Sequence, residues 1–571
     1  MKKTFKRLGA MFLAMVMAVS VLCTGAFADD GATSYTIKIN NSSEGHTYEA
    51  YQVFTGTLST KTAANKDTQT KAEYTLSDIV WGSAVKGDND GATFLTQLKA
   101  DSTLSSIFDV DTCKTAADVA NILSTDKTAN LAENFATFVG KYVKSNNIEA
   151  IATSTEQKTP YTLSVTQAGY YFIKDKDDSL KNTEGKAYTR YILEVVGDQE
   201  VNSKDSVPTL DKEIVSGDND VKANTAGIGD TVNYKLTSKV PDMTGYSSYT
   251  YKITDTMSAG LSFNTESVKI TIDGTQLSTD DYTVSTTNVA PATFTITFNS
   301  FYEKNKDKVG KDIVVTYSAT LNEKANLDFS KKDGGNTNSA NLTYSNNPNG
   351  KGEGKTTDST VYTYTTGLKL VKVDGTNTTK PLAGAEFTIT GTANKHVGVS
   401  YVRDDKNGTY YKLTDGTYST TAPKDADTDI PKYTKVNVTT NEDKTFTATA
   451  TVGEDGTWEI RGLDAGEYTI KEIKAPDGYN KLDSDIKIKI TGSATAENGC
   501  TWTVKKTKPD PEQTLNVVGN DHLFELTVEN RSGNLPSTGG MGTKLFYTIG
   551  GLLMAGAAIV LVIKKRRSSA E

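Results

Sequence analysis

Three reactive side chains stand at strand positions that a fold would turn inward. In Pro208-Thr209-Leu210-Asp211-Lys212-Glu213-Ile214, Lys212 alternates in step with Leu210 and Ile214, an unusual place for an amine. In Tyr251-Lys252-Ile253-Thr254-Asp255, the carboxyl of Asp255 shares a face with Tyr251 and Ile253. In Asn338-Ser339-Ala340-Asn341-Leu342-Thr343-Tyr344, the amide of Asn338 shares a face with Ala340, Leu342 and Tyr344. Burial matters for the chemistry of such groups. A lysine attacks only when neutral, and desolvation lowers its pKa. The same desolvation keeps a carboxyl protonated, so that it can donate to a carbonyl and move protons.

Little else in the chain offers chemistry. The three histidines, His46, His396 and His522, have no metal-ligand spacing to one another or to a cysteine, so no metal is expected. Gly87-Asp88-Asn89-Asp90-Gly91 lacks the downstream glutamate of a calcium loop and reads as a turn. No nucleophile triad, P-loop or dinucleotide fingerprint occurs, and no cofactor is expected. Two cysteines, Cys113 and Cys500, remain once the first 28 residues are set aside, too far apart in sequence to suggest a disulfide framework.

Both ends are written in processing signals. Lys2, Lys3, Lys6 and Arg7 precede an apolar run, Leu8 to Leu22, that closes on Ala26-Phe27-Ala28. This is a secretory signal peptide with its cut before Asp29. At the other end come Leu535-Pro536-Ser537-Thr538-Gly539, an uncharged stretch from Leu545 to Ile563, and Lys564, Lys565, Arg566 and Arg567. Nineteen helical residues reach roughly 28 Å, enough for the hydrocarbon core, and the basic tail would hold that end in the cytoplasm. Residues 29–538 carry 53 Lys and Arg against 69 Asp and Glu, a net charge of −16, which argues against nucleic-acid binding.

Thr, Tyr, Val and Ile in short runs punctuated by Gly, Asn and Asp predict a mostly β chain. Residues 29–203 form an N-terminal β domain with a helical insertion. There Leu131, Phe135, Phe138, Val139 and Tyr142 recur on one helical face. Residues 204–360 form a middle domain of seven strands, Thr209–Val215, Thr231–Lys239, Tyr249–Thr254, Val268–Ile272, Thr293–Phe298, Ile313–Leu321 and Ala340–Tyr344, as in an immunoglobulin-like sandwich. Residues 361–533 form a third β domain, after a Gly/Asn/Lys-rich linker at Asn346–Asp358. Residues 534–571 hold the terminal motif, the transmembrane helix and its tail.

Several of these segments resemble known families. The tripartite C-terminus resembles the LPxTG cell-wall sorting signal. That implies that a pilus-specific sortase cuts between Thr538 and Gly539 and joins Thr538 to an amine. The set Leu382-Ala383-Gly384-Ala385-Glu386-Phe387, Tyr468 to Tyr479 and Phe524 to Asn530 resembles a CnaB-type domain, and Tyr468–Tyr479 is similar to the E-box of Gram-positive pilins. It departs at Ile470, where Leu is usual, and at Ile473, where Thr is usual. Pro208–Ile214, Ile228–Val232, Tyr251–Asp255, Gly260-Leu261 and Asn338–Asn346 resemble in order the isopeptide-forming middle (D2, CnaA-like) domain of fimbrial backbone pilins. Tyr48–Gly56, Ile79–Gly82 and Ala168–Tyr171 resemble the N-terminal domain of SpaA/SpaH-type major pilins.

The resemblance implies two internal Lys–Asn isopeptide bonds. One would join Lys212 to Asn338 with Asp255 as the acid, Asn336 and Asn341 being alternative partners. The other would join a lysine of Leu368–Asp374 to Asn530 with Glu472 as the acid. Parity favours Lys369, on the face of Val371 and Val373, with Lys372, on the face of Leu368 and Leu370, as the alternative. The resemblance further implies the subunit of a covalent, peptidoglycan-anchored pilus shaft at the cell surface, not an enzyme, which supports adhesion. Its partners would be identical subunits, with tip and basal pilins. Shaft pilins often carry an acceptor lysine in a YPK-type motif before the middle domain. Here Val201-Asn202-Ser203-Lys204-Asp205 lacks the Tyr-Pro, and Lys204 fits by position. The competing reading is a monomeric wall-anchored adhesin or minor pilin. The host ligand is not legible.

Overall fold

The computed structural model describes residues 34–532 and 541–567, apart from 42–43, 63–72, 110, 126–128, 157, 181–185, 203–206, 218, 244–245, 288–292, 332–333, 349–351, 393–394 and 424–429. The signal peptide, Lys204 and Leu535–Gly539 lie outside the described residues. Two compact units share the chain. The first holds Met1–Asn224, Thr231–Thr320 and Asn336–Tyr362, and the second Thr225–Asp230, Leu321–Gly335 and Thr363–Glu571.

The first unit begins with a sheet that works on both faces. Strand Tyr48–Thr62 pairs with Glu73–Trp81 on one side and Gly169–Asp175 on the other. Tyr48 and Ala50 turn toward a small core with Ile37, Ile39, Tyr161 and Leu163, contributed by a second, three-stranded sheet. Tyr51, Val53 and Phe54 turn toward a larger core built with helices. Strict alternation cannot put Val53 and Phe54 on one side. A register shift between Gln52 and Phe54 in the pairing with Gly169–Asp175 supplies the change of phase. Helix Ala129–Ser145 covers this larger core with the stripe read from its 3.6-residue period: Leu131, Phe135, Phe138, Val139 and Tyr142 are all buried.

The same unit contains a sandwich. One layer orders Asp211–Ser216, Thr231–Lys239, Asp312–Leu321 and Leu261–Ile272 side by side, and the other Asn336–Ser345, Tyr251–Met257, Thr293–Phe298 and Tyr282–Thr287. All seven strands read from the sequence are present, joined by shorter ones. Burial alternates along Thr231–Lys239 as period 2 requires, and Tyr251–Met257 buries every odd residue, Asp255 included. The strand runs three residues beyond the expected Thr254, so Asp255 lies inside it and not at its end.

The second unit is also a two-layer β structure. Thr366–Asp374 pairs antiparallel with Thr457–Leu463 and parallel with Phe524–Asn530, so the last strand lies beside the first. The other layer contains Glu386–Gly391, Gly466–Lys474, Ile486–Thr495 and Gly499–Lys508. A terminal helix, Met541–Arg567, has a segment from Leu545 with mean hydropathy 2.2, long and apolar enough to cross a membrane.

Phe135 ties the helical insertion to the sheet, with ring centroids 6.1 Å from Phe54, 6.2 Å from Phe94 and 6.1 Å from Phe108. Truncating a buried aromatic of this kind costs about 3–5 kcal/mol. Phe135→Ala should therefore lower the melting transition of the N-terminal region and leave the sandwich transitions in place, as read by differential scanning calorimetry.

Candidate functional site

The middle sandwich closes around a lysine. Lys212 stands on Asp211–Ser216, where Leu236 is its neighbour in register. It is fully buried, as are Asp255 and Asn338. Asp255 and Asn338 come from adjacent strands of the opposite layer, in which Met257 pairs with Asn338 and Asp255 with Ala340. The three side chains meet between the layers. Lys212 Nζ donates to Asp255 Oδ2 at 2.5 Å and to Asn338 Oδ1 at 2.6 Å. Asn341, by contrast, donates to Asp358 Oδ1 at 2.8 Å on another face. Asn338 is thus the amide placed on the amine.

A fourth residue completes the group, and the sequence reading missed it. Tyr317, from Asp312–Leu321 in the lysine's own layer, accepts from Lys212 Nζ at 2.5 Å and from Asn338 Nδ2 at 3.1 Å, and donates to Asp255 Oδ2 at 2.5 Å. Its signal was present: it falls in step with Ile313, Val315, Ala319 and Leu321, an inward run whose single polar atom needs a partner. The lysine also lies 5.3 Å from the ring centroid of Tyr234 and 5.2 Å from that of Tyr317.

The electrostatics follow from burial. Burial pushes the Lys212 amine down to about 8, against the pull of Asp255. It pushes the Asp255 carboxyl up, with Lys212 and Tyr317 opposing. The two shifts converge on a pair that can exchange a proton and become neutral amine and neutral acid. An amine of that kind, held on an amide carbonyl, can do acyl transfer.

In the second unit the structure reverses the parity choice. Lys372 is fully buried, whereas Lys369 is partly exposed on the opposite face. There Lys369 sits in register between Glu459 and Glu525. Burial works to raise the nearby Asp521 carboxyl, but Lys412 and, after it, Lys369 help to hold that group below its ordinary range. Lys372 shares the inward face with Leu368 and Leu370, and in the parallel strand with Leu526, Val528 and Asn530. Both faces read as apolar in sequence because Val371 and Val373 fall on the side of Lys369. The layers settle which face is inside. Lys372 Nζ donates to the Val528 carbonyl at 3.1 Å, and burial pushes its amine down to about 8 despite the carboxylates of Glu472, Glu529 and Asp374. Glu472, from the other layer, accepts from Asn530 Nδ2 at 2.9 Å through Oε1, and from the Leu482 N–H at 2.7 Å through Oε2. Both Glu472 and Asn530 are buried.

Comparisons with known proteins match parts of these segments. Residues 228–348 match a family model described as Gram-positive pilin backbone subunit 2, Cna-B-like domain. Residues 366–427 and 424–506 match the SpaA prealbumin-like fold domain, and residues 527–569 match the LPXTG cell wall anchor motif. The chain is similar to the trypsin-resistant surface T6 protein of Streptococcus pyogenes serotype M6. The identity is 29% over 397 residues, 64% of this chain and 70% of the relative. Among solved structures it is similar to the T6 backbone pilin of the same serotype, with a TM-score of 0.48 at 17% identity over 88% of this chain and 99% of that one. Another similar structure is the major pilin SpaD of Corynebacterium diphtheriae, with a TM-score of 0.40 at 16% identity over 88% and 98%.

The depressed amine has a measurable sign. Between about 8 and the ordinary lysine value of 10.5, the unfolded chain binds a proton that the folded, unlinked chain does not. Stability then rises with pH across that window. Asn338→Ala keeps the amine and removes the amide. It should gain thermal stability from pH 8 to pH 10.5 relative to a Lys212→Met/Asn338→Ala double variant, with no such gain below pH 8. A constant difference between the two variants across the window would show that Lys212 is not desolvated.

Proposed function

This chain is a Gram-positive backbone pilin with an LPXTG cell-wall anchor, a subunit of a pilus shaft at the cell surface, and we propose that lysine-derived amide bonds make it covalent both within and between subunits. Within the subunit, Lys212 joins Asn338 with Asp255 as acid, and Lys372 joins Asn530 with Glu472 as acid. The observation that carries this reading is the buried contact of Lys212 Nζ with both Asp255 Oδ2 and Asn338 Oδ1. A buried charge pair beside an amide is a costly arrangement for a structural role alone. Lys372, Glu472 and Asn530 repeat the residue types in the second unit. The chemistry acts once, on the chain itself, with no turnover.

Between subunits, a sortase takes Thr538 as the acyl donor and Lys204 of the next copy as the acceptor, on the sequence grounds given above. The last subunit joins peptidoglycan through the same carbonyl. Linking Lys212 to Asn338 closes a span of 126 residues, for which the chain-entropy relation gives about 5 kcal/mol. The streptococcal relative is named for resistance to trypsin. Cross-links that fasten layer to layer in the middle sandwich and first strand to last in the second unit would confer that property here as well.

Intact-mass measurement of residues 29–533 should show two molecules of ammonia lost. Lys372→Ala or Glu472→Ala should each restore one, and Lys369→Ala none. An unmodified mass in the parent chain would end the internal-bond reading. Wall extracts boiled in SDS and immunoblotted should give a ladder that collapses to monomer in Lys204→Ala with both internal bonds kept. A ladder that persists in this variant would move the acceptor to another lysine, and a single band in the parent would make the chain a monomeric adhesin.

A further inference from the structure

The two lysine sites differ in one respect that bears on how a proton travels. Counted from the neutral amine, making the amide bond requires Lys212 Nζ to lose one hydrogen and Asn338 Nδ2 to gain one. The bond Nζ–Cγ forms, Cγ–Nδ2 breaks, and ammonia leaves. In the second unit, Glu472 Oε1 already lies 2.9 Å from the departing Asn530 Nδ2. In the middle sandwich, the acid does not reach the amide. Asp255 Oδ2 meets Lys212 Nζ and Tyr317 Oη, and Oδ1 has no hydrogen-bond partner among the described residues. The hydroxyl that does touch the departing nitrogen is that of Tyr317, 3.1 Å from Nδ2.

We propose that Tyr317 is a catalytic residue of the Lys212–Asn338 bond, relaying the proton from Asp255 to the leaving nitrogen of Asn338. The proposal rests on the isopeptide reading and extends it. Lys212 passes a proton to Asp255 Oδ2 along their 2.5 Å contact, which frees the amine to attack Cγ. Asp255 Oδ2 then gives a proton to Tyr317 Oη, 2.5 Å away, as Tyr317 gives its own to Nδ2. The nitrogen leaves as ammonia and the carbonyl re-forms. The second proton that the attacking nitrogen must shed goes to Asp255, so that Tyr317 ends in its starting state, Asp255 ends as the neutral carboxylic acid, and no outside reagent is consumed. The phenol stays protonated at rest. Burial first, then the charge of Asp255, pushes its ionisation well above the ordinary tyrosine value. It therefore serves as a conduit and not as a base. Packed rings hold the phenol in place. Tyr234 stacks on it with centroids 5.2 Å apart, and Phe294 and Phe263 meet it edge-on at 5.0 and 5.9 Å.

The test follows the two bonds separately in the exported chain. Wild type and Tyr317→Phe are unfolded and refolded from a form trapped before linkage, and cross-linked peptides are quantified by mass spectrometry against time. Tyr317→Phe should slow the Lys212–Asn338 bond at least about 100-fold, the lower end of what a positioned proton donor supplies, and leave the Lys372–Asn530 bond at its wild-type rate. Equal rates of the first bond in the two chains overturn the relay. If Tyr317→Phe does not fold, a fluorinated tyrosine at position 317, which keeps shape and hydroxyl but is more acidic, replaces it. The pH profile of the first bond should then shift, and an unshifted profile overturns the relay. A wild-type chain that never links Lys212 to Asn338 brings down the parent reading and the relay with it. Linkage in wild type at an unchanged rate in the variant brings down the relay alone.

Discussion

The fold of the middle sandwich is arranged around an amine that water cannot reach. A lone ammonium between two β layers would be intolerable, so its three donors must each find an acceptor there. Asp255, Tyr317 and Asn338 are those acceptors, supplied from both layers. Aromatic rings fill the space around them and keep it dry. The desolvation that makes the site expensive is also what brings amine and carboxyl toward a common proton affinity. Any change that admitted water would restore an ordinary salt bridge and remove the chemistry.

The two sandwiches solve this problem with different geometry. In the middle one, lysine and amide face each other across the layers, so a bond between them fastens layer to layer. In the second unit, lysine and amide stand on neighbouring parallel strands, Thr366–Asp374 and Phe524–Asn530, with the carboxyl arriving from the other layer. A bond there fastens the first strand to the last. Tension applied along the chain would then pass through the amide instead of shearing a row of backbone hydrogen bonds.

The N-terminal region shows what a buried lysine looks like without this arrangement. Lys174 is nearly as buried, yet it donates to Glu49 Oε2 at 3.0 Å and Asp177 Oδ1 at 3.1 Å. Burial works to raise the Asp177 carboxyl, but Lys174 and Lys144 overcome it and hold the group below its ordinary range. Asp177 is 39% exposed at its side chain, so water shares the charge. Two carboxylates stabilise a charged lysine, and no side-chain amide accepts from it among the described residues. The same residue type is an ion-pair partner here and a candidate nucleophile in the sandwiches: Lys174 donates directly to two carboxylates, one of them open to solvent, whereas Lys212 donates to one buried carboxylate and Lys372 to a backbone carbonyl.

The sequence by itself determined the C-terminal anchor, the β class, the seven main strands of the middle sandwich and the apolar stripe of the inserted helix. Each of these depends on local information: charge next to an apolar run, or a period of 2 or 3.6. It also placed Lys212, Asp255 and Asn338 inward, because each alternates with unambiguous apolar neighbours. What local pattern could not decide was which of two apolar faces lies inside. Lys369 and Lys372 stand on opposite faces of one strand, and only the opposing layer, which carries Glu472, and the parallel strand, which carries Asn530, distinguish them. Nor could it find Tyr317. Aromatic residues are common on inward faces, and a hydroxyl becomes part of a site only when strands far apart in the chain set it within 2.5 Å of an amine and a carboxyl. Period fixes the side of a strand on which a residue stands. Contact across layers is a property of the packed sandwich.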